Sequence, residues 1–265
     1  MTMWQAIILG IVQGIAEFLP ISSSGHLLVL QHIFGLDLPG MTFDIVLHIG
    51  SLCAVFAVFW RDILNLIKNP FQKMTGLLII GTIPAVVVGY LFKDYIDRIF
   101  NQGFYLAAAF TFTGILLMVA DSITHVHKIE KDITILDAIV VGCMQAVGLP
   151  PGISRSGSTI TGALVCGLNR ETAARYSFLL SIVAIVGAGI LETAEVVQNN
   201  VGVYRGDIMA YMIGFVMAAV SGYFSIRLLL RLIKNCKLRY FSYYLFALAA
   251  FILVDRFVLN WFFMS

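Results

Sequence analysis

Charged residues are scarce in this 265-residue chain. Asp, Glu, Lys and Arg together make up 12% of it, and the formal net charge is +2. A soluble domain carries about 25% charged residues. This scarcity, with 60% hydrophobic residues and a mean hydropathy of +0.92, excludes an ordinary soluble fold and points to an integral membrane protein. Runs of Lys and Arg of the kind nucleic acids require are missing, so no nucleic-acid partner is expected. Cysteine is sparse: Cys53, Cys143, Cys166 and Cys236 lie in apolar segments without metal-ligand spacing and read as membrane packing. The first apolar stretch lacks a basic leader and a small-residue cleavage site, and reads as mature protein rather than signal peptide. The spacings of zinc proteases and P-loops are absent as well.

What is present is apolar sequence in helix-length blocks. A bilayer-crossing helix needs about 20 mostly apolar residues. Six stretches meet or nearly meet this: Thr42–Trp60, Met74–Phe92, Phe104–Ala120, Tyr176–Leu191, Ile208–Ile226 and Tyr240–Leu259. Two more apolar regions, Trp4–Leu36 and Ile133–Leu168, are interrupted by "PISSSG" and "GLPPGISRSGS". Non-helical backbone at membrane depth is tolerated only where protein or a water-filled cavity covers it. Each region therefore reads as a re-entrant helix–loop–helix hairpin. The fold class expected is an all-α polytopic membrane protein with six full transmembrane helices and two such hairpins.

Positive charge orients the chain. Arg61, Lys68 and Lys73, and later Arg227, Arg231, Lys234, Lys237 and Arg239, mark cytoplasmic segments. Glu192, Glu195 and Asp207 mark an outer one. Alternation then puts Lys128 and Lys131 inside and both termini outside. The first hairpin enters from the outer face and the second from the cytoplasm.

The two interruptions match each other. "GIVQGIAEFLPISSSG" begins at Gly10 and "GCMQAVGLPPGISRSG" at Gly142, an offset of 142 − 10 = 132 residues. Gln13 falls on Gln145, Ser22 on Ser154, Ser24 on Ser156 and Gly25 on Gly157. The single domain thus divides into repeat 1, about residues 1–132, and repeat 2, about 133–265. An odd number of crossings per repeat inverts the second copy, an arrangement that brings broken helices together near the midplane to form a site.

Ionisable groups in such segments are costly, about 2.5–3.5 kcal/mol each at the bilayer centre on insertion scales. Glu17, His26, Asp44 and Arg155 are the ones found here. Gln13 and Glu17 lie one helical turn apart, and their oxygens suit a hard cation. His26 closes a serine run and is a candidate acid, base or nucleophile. Ser22, Ser23 and Ser24 cap a helix or bind an anion, two roles that coincide at a helix N-terminus. Arg155 stands among glycines and hydroxyls, where a guanidinium fork binds phosphate. Asp44 and His48 share a face of the next span, suited equally to packing or to the same pocket. The inventory suits handling phosphate at a membrane surface.

"QGIAEFLPISSSGH" and "PGISRSGST" resemble the two motifs of the bacterial undecaprenyl-pyrophosphate phosphatase family, also known for bacitracin resistance. The first motif is Glu or Gln, three residues, then Glu, which Gln13 and Glu17 fit. The second is PGxSRSxxT, which Pro151 through Thr159 fit in full. The resemblance extends over essentially the whole chain. It implies hydrolysis of undecaprenyl diphosphate to undecaprenyl phosphate and inorganic phosphate, which recycles the lipid carrier for cell-wall synthesis and confers bacitracin resistance. It implies Glu17, His26 and Ser23 as catalytic residues, with the nucleophile left open between Ser23, His26 and water. Arg155, Ser154, Ser156, Thr159, Ser22 and Ser24 would bind substrate. Glu17 and Gln13 would hold a divalent cation, Mg2+ or Ca2+, although Gln13 brings one negative charge fewer than the Glu of some relatives. The expected partners are a polyprenyl diphosphate lipid and the bilayer, with a homodimer as the candidate assembly. The expected location is the bacterial inner membrane, with the active site facing outside. The rival reading is a polyprenyl-phosphate transporter using the same pocket, and a non-catalytic lipid receptor is a third.

Overall fold

The structure is a computed structural model that describes residues 1–36, 41–92, 95, 103–198, 208–234, 237–259 and 261–263. Asp207, Cys236 and Ser265 lie outside the described residues, as do the side chains of Glu192 and Glu195.

Eleven α-helices are described: α1 Met3–Phe18, α2 Ser23–Ile33, α3 Met41–Val58, α4 Trp60–Lys68, α5 Lys73–Leu91, α6 Gly103–Ser122, α7 Ile135–Val147, α8 Arg155–Val165, α9 Arg170–Gln198, α10 Ile208–Leu232 and α11 Arg239–Val254. No strand is present among the described residues. Five helices are long and apolar enough to cross a membrane, or six if the bent pair α3–α4 counts as one span. Five of the expected spans correspond to α5, α6, α9, α10 and α11. The sixth, Thr42–Trp60, needs correction at its end. The chain turns by 81° between α3 and α4, because Trp60–Lys68 concentrates Arg61, Asp62 and Lys68 on a helix that buries no residue. It is an amphipathic surface helix.

Both interrupted regions are helix pairs, α1–α2 and α7–α8. Leu19 ends α1 in extended backbone immediately before Pro20. Ser22 caps α2 by accepting the Gly25 N–H, and Ser154 caps α8 by accepting the Gly157 N–H. The two capping residues stand at the offset read from the sequence.

Small residues let the helices approach backbone to backbone. A Cβ on Gly10 of α1 would lie 2.5 Å from the Gly214 carbonyl oxygen of α10. One on Gly14 would collide with Ser221 Oγ and the Ala218 carbonyl. The pair α5–α7 makes the corresponding contact where Gly142 meets Gly81. The largest apolar cluster surrounds Phe18, Phe59, Tyr176 and Phe178, with Phe18 edge-on to Phe178 at 5.8 Å. It supports the end of α1 from behind.

Basic residues gather at one end of the assembly. Arg175 pairs with Asp62, Arg170 and Arg239 with Asp121, and Lys234 with Glu171. Lys73 Nζ donates to the Lys131 carbonyl.

Candidate active site

The tips of the two helix pairs meet. The Gly152 N–H donates to Ser24 Oγ at 3.1 Å, and Ser156 Oγ donates to the Leu19 carbonyl at 3.0 Å. Arg155, the first residue of α8, reaches across this junction and pairs with Glu17 Oε1 at the end of α1. The other oxygen, Oε2, accepts from Ser23 Oγ at 2.6 Å and from Gln13 Nε2 at 3.2 Å. His48 Nε2 of α3 stands 3.9 Å from the same oxygen. Glu17 is thus buried yet fully engaged, which is the condition for a carboxylate to persist there.

A cavity of about 260 Å³ opens at this junction. Its polar wall carries Glu17, Ser22, Ser23, Ser24, His48, Ser154, Arg155 and Ser156. Ala184, Ile185 and Ala188, from the middle of α9, line it as well and make its apolar wall. The hydroxyls and two helix N-termini aim partial positive charge inward, and Arg155 adds a full one. Glu17 balances that charge at rest, so the arrangement suits an anion able to displace Glu17 from Arg155. A larger cavity of about 660 Å³ lies at the basic end, but it mixes Lys73, Lys131 and Arg175 with Glu130 and Glu171 and holds none of the expected site residues.

Seven of the expected residues therefore share one cavity wall, and three do not. Gln13 is fully buried behind Glu17, with a second, longer bond of 3.5 Å to Ser51 Oγ. Thr159 faces away, where its hydroxyl meets Ser177 Oγ at 2.6 Å and holds α8 to α9. His26 turns toward α11: its Nε2 lies 2.7 Å from Tyr244 Oη, and its ring stacks on Tyr244 at 5.5 Å. Two side chains were not legible as members of this network. Tyr244 sits in an ordinary apolar span, and its only signal is a phenol needing a partner away from water. Thr113 of α6 accepts the Ser154 N–H at 3.1 Å, and nothing in its sequence context marks it.

The implied divalent cation can be weighed against this donor set. Among the described residues no three His, Cys, Asp or Glu side chains converge as a metal cage. Mg2+, however, is commonly held by one or two carboxylates together with substrate phosphates. Glu17 supplies one carboxylate, and the buried Gln13 Oε1 one helical turn away has no protein partner. These two oxygens fit part of such a coordination shell.

Comparison with known proteins places this geometry in context. The family described as "Bacitracin resistance protein BacA" matches residues 6–251. A protein named undecaprenyl-diphosphatase from Carboxydothermus hydrogenoformans is 45% identical over 254 residues, covering 96% of this chain and 97% of that one. Undecaprenyl-diphosphatase 4 of Bacillus thuringiensis subsp. konkukian is 46% identical over 253 residues, with the same two coverages. The undecaprenyl-diphosphatase of Methanosphaera stadtmanae is 40% identical over 261 residues, covering 90% of this chain and 92% of its own.

Proposed function

Because this chain belongs to the bacitracin resistance protein BacA family, we propose that it hydrolyses undecaprenyl diphosphate to undecaprenyl phosphate and inorganic phosphate. The observation that carries this reading is the line Ser23–Glu17–Arg155 across the hairpin junction. All three line one cavity, which supports reading Ser23 as the nucleophile, Glu17 as its proton acceptor and Arg155 as the phosphate clamp.

In the resting site Arg155 is held by Glu17. A terminal phosphate entering the cavity competes for the guanidinium, whose fork matches phosphate oxygens in pairs. As Arg155 turns to the phosphate, Glu17 Oε2 keeps its hydrogen bond from Ser23 Oγ and stands ready as the proton acceptor. Ser23 Oγ then passes its proton to Glu17 Oε2 and attacks the terminal phosphorus. The bond from that phosphorus to the bridging oxygen breaks, and polyprenyl phosphate leaves. Water subsequently cleaves the phosphoserine and releases inorganic phosphate. Arg155 and the N-terminal N–H groups of α2 and α8 stabilise charge on the equatorial oxygens. When bound, a divalent cation such as Mg2+ or Ca2+ neutralises further diphosphate charge; Glu17 and Gln13 Oε1 are the residues that would hold it.

The small apolar wall of α9 supports a lipid tail leaving sideways between helices. The gathering of basic residues at the far end supports a cavity that faces outside the plasma membrane. That placement would recycle the lipid carrier for cell-wall synthesis and would protect against bacitracin. The matching hairpins, caps and glycine contacts support an inverted repeat of residues 1–132 and 133–265.

The test is phosphate release from undecaprenyl diphosphate by purified protein in detergent. Wild type is expected to release phosphate, and Ser23→Ala to lose at least a hundredfold in rate. Release by Ser23→Ala at the wild-type rate would assign the attack to water. No release by the wild type, with lipid movement across reconstituted vesicles, would favour the transporter.

A further inference from the structure

Ser22 is the one non-glycine among the described residues with a positive φ, at φ 71° and ψ 99°. Such backbone is strained and persists only where its surroundings enforce it. It directly precedes Ser23, whose hydroxyl must meet Glu17. Something must therefore hold Ser22 in place.

His26 does so. Its Nδ1 lies 2.7 Å from the Ser22 carbonyl oxygen, which also accepts the His26 N–H at 3.2 Å. A carbonyl has no proton to give, so Nδ1 carries the hydrogen. In the neutral ring Nε2 is then an acceptor, and the Tyr244 hydroxyl at 2.7 Å donates to it. The ring is fixed in orientation as well, stacked 14° from the plane of Tyr244 and met edgewise by Phe110 at 5.4 Å. It is buried and does not line the cavity.

On the diphosphatase reading, we propose that His26 is a positioning residue rather than an acid, base or nucleophile. Its Nδ1–H pins the Ser22 carbonyl, which sets the turn that aims Ser23 Oγ at Glu17. The Ser22 carbonyl selects the Nδ1–H tautomer, and Tyr244 acts through the ring by donating to Nε2 and holding it in place. A phenol on a helix nearly the whole chain away thus sets the geometry of the nucleophile.

Asparagine separates this role from proton transfer, because its amide nitrogen occupies the place of Nδ1 and keeps the donor without a titrating ring. His26→Asn should hold kcat within about tenfold of wild type with KM unchanged. His26→Gln places its amide near the Nε2 position and leaves the Ser22 carbonyl without its side-chain donor. It should lose about a hundredfold in kcat, as should His26→Ala. Tyr244→Phe, which keeps the stacked ring, should lower kcat severalfold without moving KM. Ring nitrogen NMR of the resting protein supplies a readout independent of turnover: Nδ1 protonated and Nε2 bare in wild type, with the Nε2 resonance shifted in Tyr244→Phe by loss of its hydrogen bond. His26→Asn falling as far as His26→Ala, in protein that remains folded, overturns the positioning role. An Nε2–H tautomer in wild type overturns it whatever the rates. Tyr244→Phe with unchanged rate and an unchanged Nε2 resonance removes Tyr244 from the proposal. Should wild type release no phosphate, the diphosphatase reading fails, and the NMR result still decides this one.

Discussion

Arg155 and Glu17 neutralise each other across the junction of two hairpins, and this pairing governs what each substitution does. Both side chains are largely removed from water. Removing one partner of a buried pair typically costs about 3–5 kcal/mol, because the other is left uncompensated. Glu17→Gln keeps the shape and one acceptor oxygen, so folding should survive while turnover falls at least a hundredfold, the scale of a lost proton acceptor. Phosphate release near the wild-type rate from folded Glu17→Gln would remove this carboxylate from the chemistry. Lysine at position 155 keeps a charge but loses the planar two-donor fork. Arg155→Lys should therefore fail almost as badly as Arg155→Ala; if lysine keeps most of the activity, charge alone suffices there. Both residues were legible in the sequence for the same reason. A carboxylate and a guanidinium are too costly in apolar surroundings to be incidental. Tyr244 and Thr113 were not, because a phenol or a hydroxyl in a span is compatible with plain packing. His48 was legible only as an even choice, and the fold resolves it toward the cavity.

The helices were legible wherever local chemistry decides them. Pro20 and the pair Pro150–Pro151 stop α1 and the α7 segment, and serines restart the chain as caps. Boundaries went astray where a distant partner decides. The span expected from Tyr176 begins instead at Arg170, because Arg170 and Arg175 are satisfied by Asp121 and Asp62 from other helices. The bend after Val58 likewise needs knowledge of what α4 lies against. Close packing at this scale yields a stability prediction. Gly14→Val would force side-chain atoms into Ser221 and the α10 backbone. The overpacking penalty is about 1–3 kcal/mol, and more where backbone cannot move. Its melting temperature in detergent should fall clearly below wild type. Gly187, in α9, has open space where a Cβ would go, so Gly187→Ala should be neutral or stabilising by up to about 1 kcal/mol from helix propensity. Equal effects from the two variants would mean that α1 and α10 are not in backbone contact.

At the scale of the whole molecule, the placement of charge and the placement of the cavity constrain each other. The helices α1 and α10 run in the same direction, as Gly10 meets Gly214 and Gly14 meets Ala218. The chain start is therefore at the end opposite to Lys234 and Arg239. Those basic residues share their end with Asp62, Asp121 and Arg175, and positive residues stay in the cytoplasm. His48 lies near the middle of α3, and Ala184 and Ala188 lie in the middle third of α9. Both keep the cavity away from the basic end, and on the orientation proposed above it opens to the outer side. Asn69, in the turn after α4, should then be cytoplasmic, and Ser265 should be outside. Single cysteines introduced as Asn69→Cys and Ser265→Cys, with the four native cysteines replaced, test this with a membrane-impermeant thiol reagent. In intact cells Ser265→Cys should label and Asn69→Cys should label only after the membrane is opened. The reverse pattern would turn the molecule over. The Arg155–Glu17 junction would then open to the cytoplasm, where it could not act on a diphosphate left in the outer leaflet unless the lipid had already crossed.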